Sequence, residues 1–174
     1  KKAYGKGIEL QGKTLGIVGF GRIGQHLGVM AKAIGMNVIA FDIFHIPGIE
    51  EQLGIPYVEM EELLAKSDFI SVHAPAVDGG ALINAERIAK MKDGVVIINT
   101  SRGTNVDEAA LLDALNSGKV RSAGLDVYAD EPASNKALYS HPMVSCTPHI
   151  GAATVEAQKR IGTEIVDIIN NFSC

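Results

Sequence analysis

An α/β fold, a parallel sheet with helices on both faces, is what this sequence predicts, on three observations. Short β-branched apolar runs alternate with stretches of helical periodicity along the whole chain. The strand runs are apolar at nearly every position, as strands covered on both faces must be. Glycine, asparagine and proline punctuate the boundaries between them.

The first expected strand is KTLGIVGF, residues 13–20. It leads into a helix over residues 22–35, where Ile23, Leu27, Met30 and Ile34 recur at helical spacing. NVIAFD, residues 37–42, is the second strand. A short helix over 60–67 precedes the strand DFISVHAP, residues 68–75, and a helix over 84–92 precedes the strand GVVIINTS, residues 94–101. The next helix, 105–118, is expected to start at Asn105 as its cap, with Glu108 three residues on and Gly118 closing it. SAGLDVY, 122–128, and MVSCTPH, 143–149, are the last strands. The longest helix, 153–172, carries Val155, Ile161, Ile165, Ile168 and Ile169 on its apolar side. Residues 45–54, 76–81 and 129–142 read as loops. No internal repeat or low-complexity segment interrupts the pattern.

Composition narrows the function classes. The 174 residues suit one domain with a sizeable core, and 47% hydrophobic with 21% charged is ordinary for a globular chain. A net charge of −4 argues against nucleic acid or an anionic membrane as the main partner. Without tryptophan and with 5% aromatics there is no evident base-stacking platform. No apolar run approaches the roughly 20 residues of a membrane span. Cys146 and Cys174 lie far apart and outside any CxxC pair, which suggests neither a disulfide framework nor a metal site and fits a cytoplasmic location.

The first strand–helix junction, GIVGFGRIG, sets Gly19, Gly21 and Gly24 in G-x-G-x-x-G spacing. After a strand and before a helix, this is the dinucleotide fingerprint of a Rossmann-type doubly wound sheet. Gly19 permits the tight turn, Gly21 lets backbone approach a pyrophosphate, and Gly24 lets helix and strand pack closely. Phosphates would then meet the free N–H groups and positive dipole end of the helix. Asp42 ends the second strand about 20 residues on, where a carboxylate accepts hydrogen bonds from ribose hydroxyls. It would repel a 2′-phosphate, and DIFHIP offers no nearby Arg or Lys to receive one. NAD is therefore the expected cofactor.

Ligands of such sheets bind outside the carboxyl ends of the strands. Arg102, Asp126, Glu131 and His149 all follow expected strands, so four polar groups converge on that edge. Hydride transfer from a 2-hydroxy acid needs three services. A cation binds the substrate oxygens, for which the forked guanidinium of an Arg is suited. A base near neutral pH takes the hydroxyl proton, a task for His. A carboxylate fixes the ring and balances the imidazolium. Singly, each residue has a plainer reading. Arg102 would be a solvated charge at a strand end, and His149 a structural histidine. Glu131 would be a turn acid, and Asp126 a strand-end acid or helix cap. His26, His45, His73 and His141 have no assigned task.

Five motifs in order, GKTLGIVGFGRIG, NTSRG, VDEAALLDAL, AGLDVYADEP and TPHIGAAT, resemble the cofactor domain of the D-isomer-specific 2-hydroxyacid dehydrogenases. The similarity runs from about residue 8 to 169. The segment HIGAATVEAQKRIGTEI resembles most the 3-phosphoglycerate dehydrogenase branch. The resemblance implies Arg102 as the substrate-binding arginine, Glu131 as the acid partnering the histidine, and His149 as the general acid/base. It implies backbone contacts to the pyrophosphate at Arg22 and Ile23, and Asp42 on the ribose. Thr100, Ser101 and Asp126 would surround the nicotinamide and its ribose, with Gly151 and Ala152 of the HIGA segment lining the same place. Ala74 and Pro75 would lie under the cofactor. APAVDGGALIN departs from the Thr-rich stretch the family usually has after the proline, which bears on the local loop.

In that family the cofactor domain is inserted within a substrate-binding domain. The expectation is that residues 1–174 are the cofactor domain alone, paired with a second copy in a homodimer, with a small 2-hydroxy or 2-oxo acid as partner. Glyoxylate/hydroxypyruvate reductase and D-lactate-type activities are alternatives within the family. Outside it stand a corepressor-like NAD-sensing module without metabolic activity and an adenosylhomocysteinase-like cofactor domain. NTSRG, DEP and TPHIG argue against the last.

Overall fold

A computed structural model describes residues 7–172. Its six strands are β1 (Thr14–Val18), β2 (Asn37–Phe41), β3 (Phe69–Val72), β4 (Val95–Asn99), β5 (Val120–Leu125) and β6 (Val144–Cys146). All pair in parallel, in the order β2-β1-β3-β4-β5-β6. The first strand, β1, lies one in from the edge; the chain steps out to β2, then crosses back over β1 to β3. That reversal is the switch point of a Rossmann-type doubly wound sheet, and it opens a crevice between the ends of β1 and β3.

Seven α-helices are described, six between the strands and the last after β6. They are α1 (Arg22–Ala33), α2 (Ile49–Leu53), α3 (Met60–Lys66), α4 (Ala85–Lys90), α5 (Glu108–Ser117), α6 (Lys136–Tyr139) and α7 (Val155–Asn171). Alternation along each strand divides the core in two. Leu15 and Ile17 of β1, with Val38 and Ala40 of β2, bury against α1 and α2. Ile70 and Val72 of β3, Val95 and Ile97 of β4, and Ala123 and Leu125 of β5 bury against α3, α4 and α5. Among the described residues no helix is long and apolar enough to cross a membrane. Cys146 is a free, exposed thiol; Cys174 lies outside the described residues.

Four expectations need correction. The face α1 turns to the sheet is Gly24, Gly28 and Ala31, whereas Ile23, Met30 and Ile34 are exposed. The sheet here leaves room only for small side chains. A Cβ at Gly24 would collide with the Gly19 carbonyl oxygen, and one at Gly28 would come within 2.7 Å of Ile55. Second, stretches read as loops contain α2 and α6. Left-handed Gly48 and Gly54 bracket α2, and Asn135 caps α6 through its bond from the Leu138 amide. Third, the cap of α5 is Asp107, whose side chain accepts from the Ala109 and Ala110 amides, while Asn105 is fully buried. Fourth, the apolar side of α7 faces solvent, and no residue of that helix is buried.

Gly24→Ala adds the methyl that the Gly19 carbonyl excludes. Overpacking of this kind costs about 1–3 kcal/mol, against a helix-propensity gain of about 1 kcal/mol. Thermal or urea unfolding of the variant should register a net loss of stability. An unchanged or raised midpoint would refute the close-packing role.

Candidate active site

The crevice at the switch point is small, about 170 Å³, and is lined by Gly19, Gly21, Asp42, His73, Ala74 and Pro75 among others. Gly19 makes it possible. Its backbone is left-handed, at φ 94°, and a Cβ there would lie 2.5 Å from the Ala74 amide nitrogen. Gly21 precedes α1 with no side-chain cap, and a Cβ on it would meet nothing within 4 Å. The first-turn amides of α1, beginning at Arg22, therefore lack intrahelical partners beside an open cleft. Asp42 follows β2, and its carboxylate accepts from the Phe20 amide at 2.6 Å and the Phe44 amide at 3.0 Å. The acid thus braces the glycine turn while standing in the cleft. At the end of β3, burial pushes the His73 imidazole below its ordinary range, and its Nε2 lies 2.8 Å from the Ser71 hydroxyl.

A second cleft, of about 470 Å³, opens over the ends of β4 and β5. Thr100, Arg102, Asp126 and His149 line it, with Ile23 from α1, Gly151 and Ala152 from the loop after His149, and Gln158 from α7. Arg102 is exposed, and its guanidinium donates to the neighbouring Ser101 carbonyl at 2.7 Å. The rest of its fork is free to serve the cleft by direction and charge.

His149 has left-handed backbone, at φ 55°. That conformation costs a residue with a side chain about 1–2 kcal/mol, so its surroundings must impose it. Asp126 does so. One carboxylate oxygen accepts from the Thr147 hydroxyl at 2.6 Å and the Ile150 amide at 3.0 Å, and the other from the Gly151 amide at 3.0 Å. The carboxylate thereby grips the loop on both sides of the histidine. A Cβ on Gly151 would stand 3.2 Å from Asp126 Oδ2, so the carboxylate would have to yield by a few tenths of an ångström. Burial alone would raise the Asp126 pKa, but these three hydrogen bonds and nearby His149 hold it below the ordinary range. Tyr128 steadies the same loop by donating its hydroxyl to the Thr147 carbonyl at 2.6 Å.

The ring of His149 is set by Glu131, with Nδ1 2.8 Å from Oε2. The other oxygen of Glu131 accepts from the Tyr128 amide at 3.3 Å. The His149 bond, helped by that amide, holds Glu131 below the ordinary carboxylate range against desolvation and the nearby charge of Asp126, which both raise it. With Nδ1 engaged, Nε2 is the nitrogen left for a reacting group.

Arg102, Asp126 and His149 therefore converge as expected, with Thr100, Gly151 and Ala152 around them, and Asp42, Ala74 and Pro75 gather in the neighbouring crevice. Other expected residues act from outside these linings. Glu131 lines an adjoining pocket together with Tyr128 and Cys146, and His149 stands between that pocket and the cleft, lining both. Gly24 is spent on packing. Ser101 is buried, its hydroxyl donates inward to Asn99 Oδ1 at 2.8 Å, and it lines neither cleft. Sequence reasoning missed Asn99, Asn105, Thr147 and Gln158. Thr147 had a legible signal, standing directly before Pro148 and His149; Asn105 reaches Ala74, 31 residues away, and Gln158 enters the cleft from α7.

A carboxyl held low in the folded state contributes stability above its unfolded pKa, about 3.9 for Asp. The contribution is lost as pH falls through the lower folded value. Urea unfolding should therefore find Asp126→Asn less stable than the parent near neutral pH, with the gap narrowing toward about pH 3. A gap independent of pH would refute the charged role of this carboxylate.

Comparison with known proteins agrees with this geometry. The family described as "D-isomer specific 2-hydroxyacid dehydrogenase, NAD binding domain" matches residues 1–151. The chain is 50% identical over 174 residues to the hydroxypyruvate reductase of Thermotoga maritima, covering 97% of this chain and 55% of that protein. It is 47% identical over 170 residues to the D-3-phosphoglycerate dehydrogenase of Mycobacterium leprae, covering 97% of this chain and 32% of the other. The chain thus spans about a third to a half of the curated relatives it matches. Among solved structures, D-lactate dehydrogenase from Aquifex aeolicus, complexed with NAD and lactic acid, superposes with a TM-score of 0.84 at 36% identity. That superposition covers 95% of this chain and 54% of the other. From the glycine turn at the switch point to the histidine after β6, this chain belongs to the D-isomer-specific 2-hydroxyacid dehydrogenases, as their NAD-binding domain.

Proposed function

We propose that this chain is the cofactor half of an enzyme that moves a hydride between NAD and a 2-hydroxy or 2-oxo acid, with 3-phosphoglycerate the leading substrate. The observation that carries the reading is one cleft holding both Arg102 and a histidine whose far nitrogen is engaged by Glu131. The relatives in Thermotoga and Mycobacterium support the substrate class. A second, substrate-binding domain completes the cleft, and closure of the two excludes water from it.

The residues fit a dinucleotide. Gly21 leaves space at the start of α1, and Gly19 brings the turn against Ala74. In this reading the amides of Arg22 and Ile23 hold the pyrophosphate, and Asp42 takes the ribose hydroxyls. Ala74 and Pro75 support the adenosine side. Thr100, Asp126, Gly151 and Ala152 border the nicotinamide. When bound, NAD supplies the hydride acceptor. Arg102 then binds the substrate carboxylate and the oxygen on C2, and Nε2 of His149 removes the hydroxyl proton. Glu131 keeps the ring in place and sets negative charge beside the imidazolium. In the reverse direction the same nitrogen returns the proton to the forming alkoxide.

The reading extends to assembly and location. Two copies pair through this domain, for which the exposed apolar sides of α1 and α7 are the available surfaces. The free thiol of Cys146 fits a reducing cytoplasm.

Two measurements test the function. In the full-length protein, His149→Gln should lower kcat by about 10²–10⁴-fold, and Arg102→Gln should chiefly raise KM for the acid. An unaltered kcat in His149→Gln, or an unaltered KM in Arg102→Gln, overturns the assignment. The 174-residue chain by itself should bind NAD and turn over substrate poorly, and Asp42→Ala should erode its preference for NAD over NADP. An unchanged preference removes Asp42 from the ribose, and robust steady-state turnover by this chain overturns the need for a second domain.

A further inference from the structure

Asn105 is fully buried, and its side chain faces neither cleft lining. Its amide nitrogen donates to two places at once, the Ala74 carbonyl at 2.9 Å and the Ser101 hydroxyl at 3.1 Å. That hydroxyl donates onward to Asn99 Oδ1 at 2.8 Å, an atom that also accepts the Ser101 amide at 3.1 Å. Asn99 Nδ2 donates to the Arg102 carbonyl at 2.9 Å, and the Asn105 backbone amide reaches the same carbonyl at 3.0 Å. A continuous relay thus runs from the switch-point crevice to the arginine of the second cleft. One end, Ala74, is pressed against Gly19. The other end is the backbone from which the Arg102 guanidinium extends.

Stability alone does not account for the relay, although Asn105 Nδ2 satisfies two acceptors. Asn105 Oδ1 is buried without a hydrogen-bond partner. An unpaired buried carbonyl carries a desolvation cost that a leucine of similar size would avoid. What an asparagine supplies, and a leucine cannot, is a rigid planar donor that sets the spacing between Ala74 and Ser101.

We propose that Asn105 is a positioning residue that couples the two clefts. Occupation of the crevice by the adenosine half of a dinucleotide fixes the Ala74 carbonyl, and Asn105, Ser101 and Asn99 pass that constraint to the Arg102 backbone. The carboxylate clamp is ordered before substrate arrives, so the substrate bears less of the ordering cost. This rests on the cofactor reading above, and the test separates the two.

The probe is ADP, which carries the adenosine and two phosphates but no nicotinamide to reach Arg102. Hydrogen exchange is followed on the 174-residue chain with and without it, beside a direct binding titration. ADP should slow exchange by about fivefold or more, both at residues 19–21 and 73–77 and at residues 99–105. In Asn105→Leu, ADP should still bind and still protect 19–21 and 73–77. Protection of 99–103 should fall below about twofold, the ligand-dependent response that a purely structural role would leave in place. Ser101→Ala interrupts the relay at its middle and should behave alike, which keeps the test open if the first variant misfolds. Protection of 99–103 that survives in either folded variant, or that never appears in the parent although ADP binds, overturns the coupling alone. Failure of the parent chain to bind ADP overturns the cofactor reading, and the coupling with it.

Discussion

Everything at the carboxyl edge of this sheet depends on how closely three backbone segments meet at the switch point. Gly19 turns left-handed against the Ala74 peptide, and Gly24 lets α1 settle onto the Gly19 carbonyl. Neither approach is possible with a side chain in the way. Because they are close, the start of α1 stands beside the ends of β2 and β3, and Asp42 can brace the turn through the Phe20 amide. The small residues of α1 serve this geometry. Of its larger apolar side chains, Leu27 packs partly against the core, and Ile23, Val29 and Met30 are left at the surface.

The other half of the edge is organised by charge. Asp126 ends β5 with its carboxylate committed to the loop that carries His149, bonding on both sides of the histidine and compensating its left-handed backbone. Glu131 then sets the ring. The two acids divide the work: the buried one shapes the backbone, and the exposed one orients the side chain. In the plainer reading Asp126 was a strand-end acid, and that reading and the functional one converge here. It is a structural residue whose structural task is to present the base.

Much of this was legible in the chain. The alternation of apolar runs and helical periods marked all six strands, most plainly β1, β3 and β4, whose covered faces leave few polar positions. The glycine spacing marked the turn, and Arg102, Glu131 and His149 were identifiable because few chemistries need those groups after successive strands. Less legible were elements held by single contacts. The five residues of α2 and four of α6 carry too few turns for periodicity to appear. Asn105 looked like a helix cap because Asn caps helices and Glu108 stood at the matching offset. Asp107, two residues later, offered the same chemistry and is the residue whose carboxylate meets the Ala109 and Ala110 amides.

By itself the sequence determined the order of elements, the covered parallel sheet and the identity of the acid–base groups, since these follow from local pattern and side-chain chemistry. Tertiary structure decided the partners. Which amides Asp126 grips is set by the pairing of β5 with β6, and that Asn105 lies inside between Ala74 and Ser101 is set by the pairing of β3 with β4. It also decided that the apolar side of α7, plain in the periodicity, faces solvent among the described residues. Amphipathicity states that a face can be buried; only the arrangement of neighbours determines whether it is.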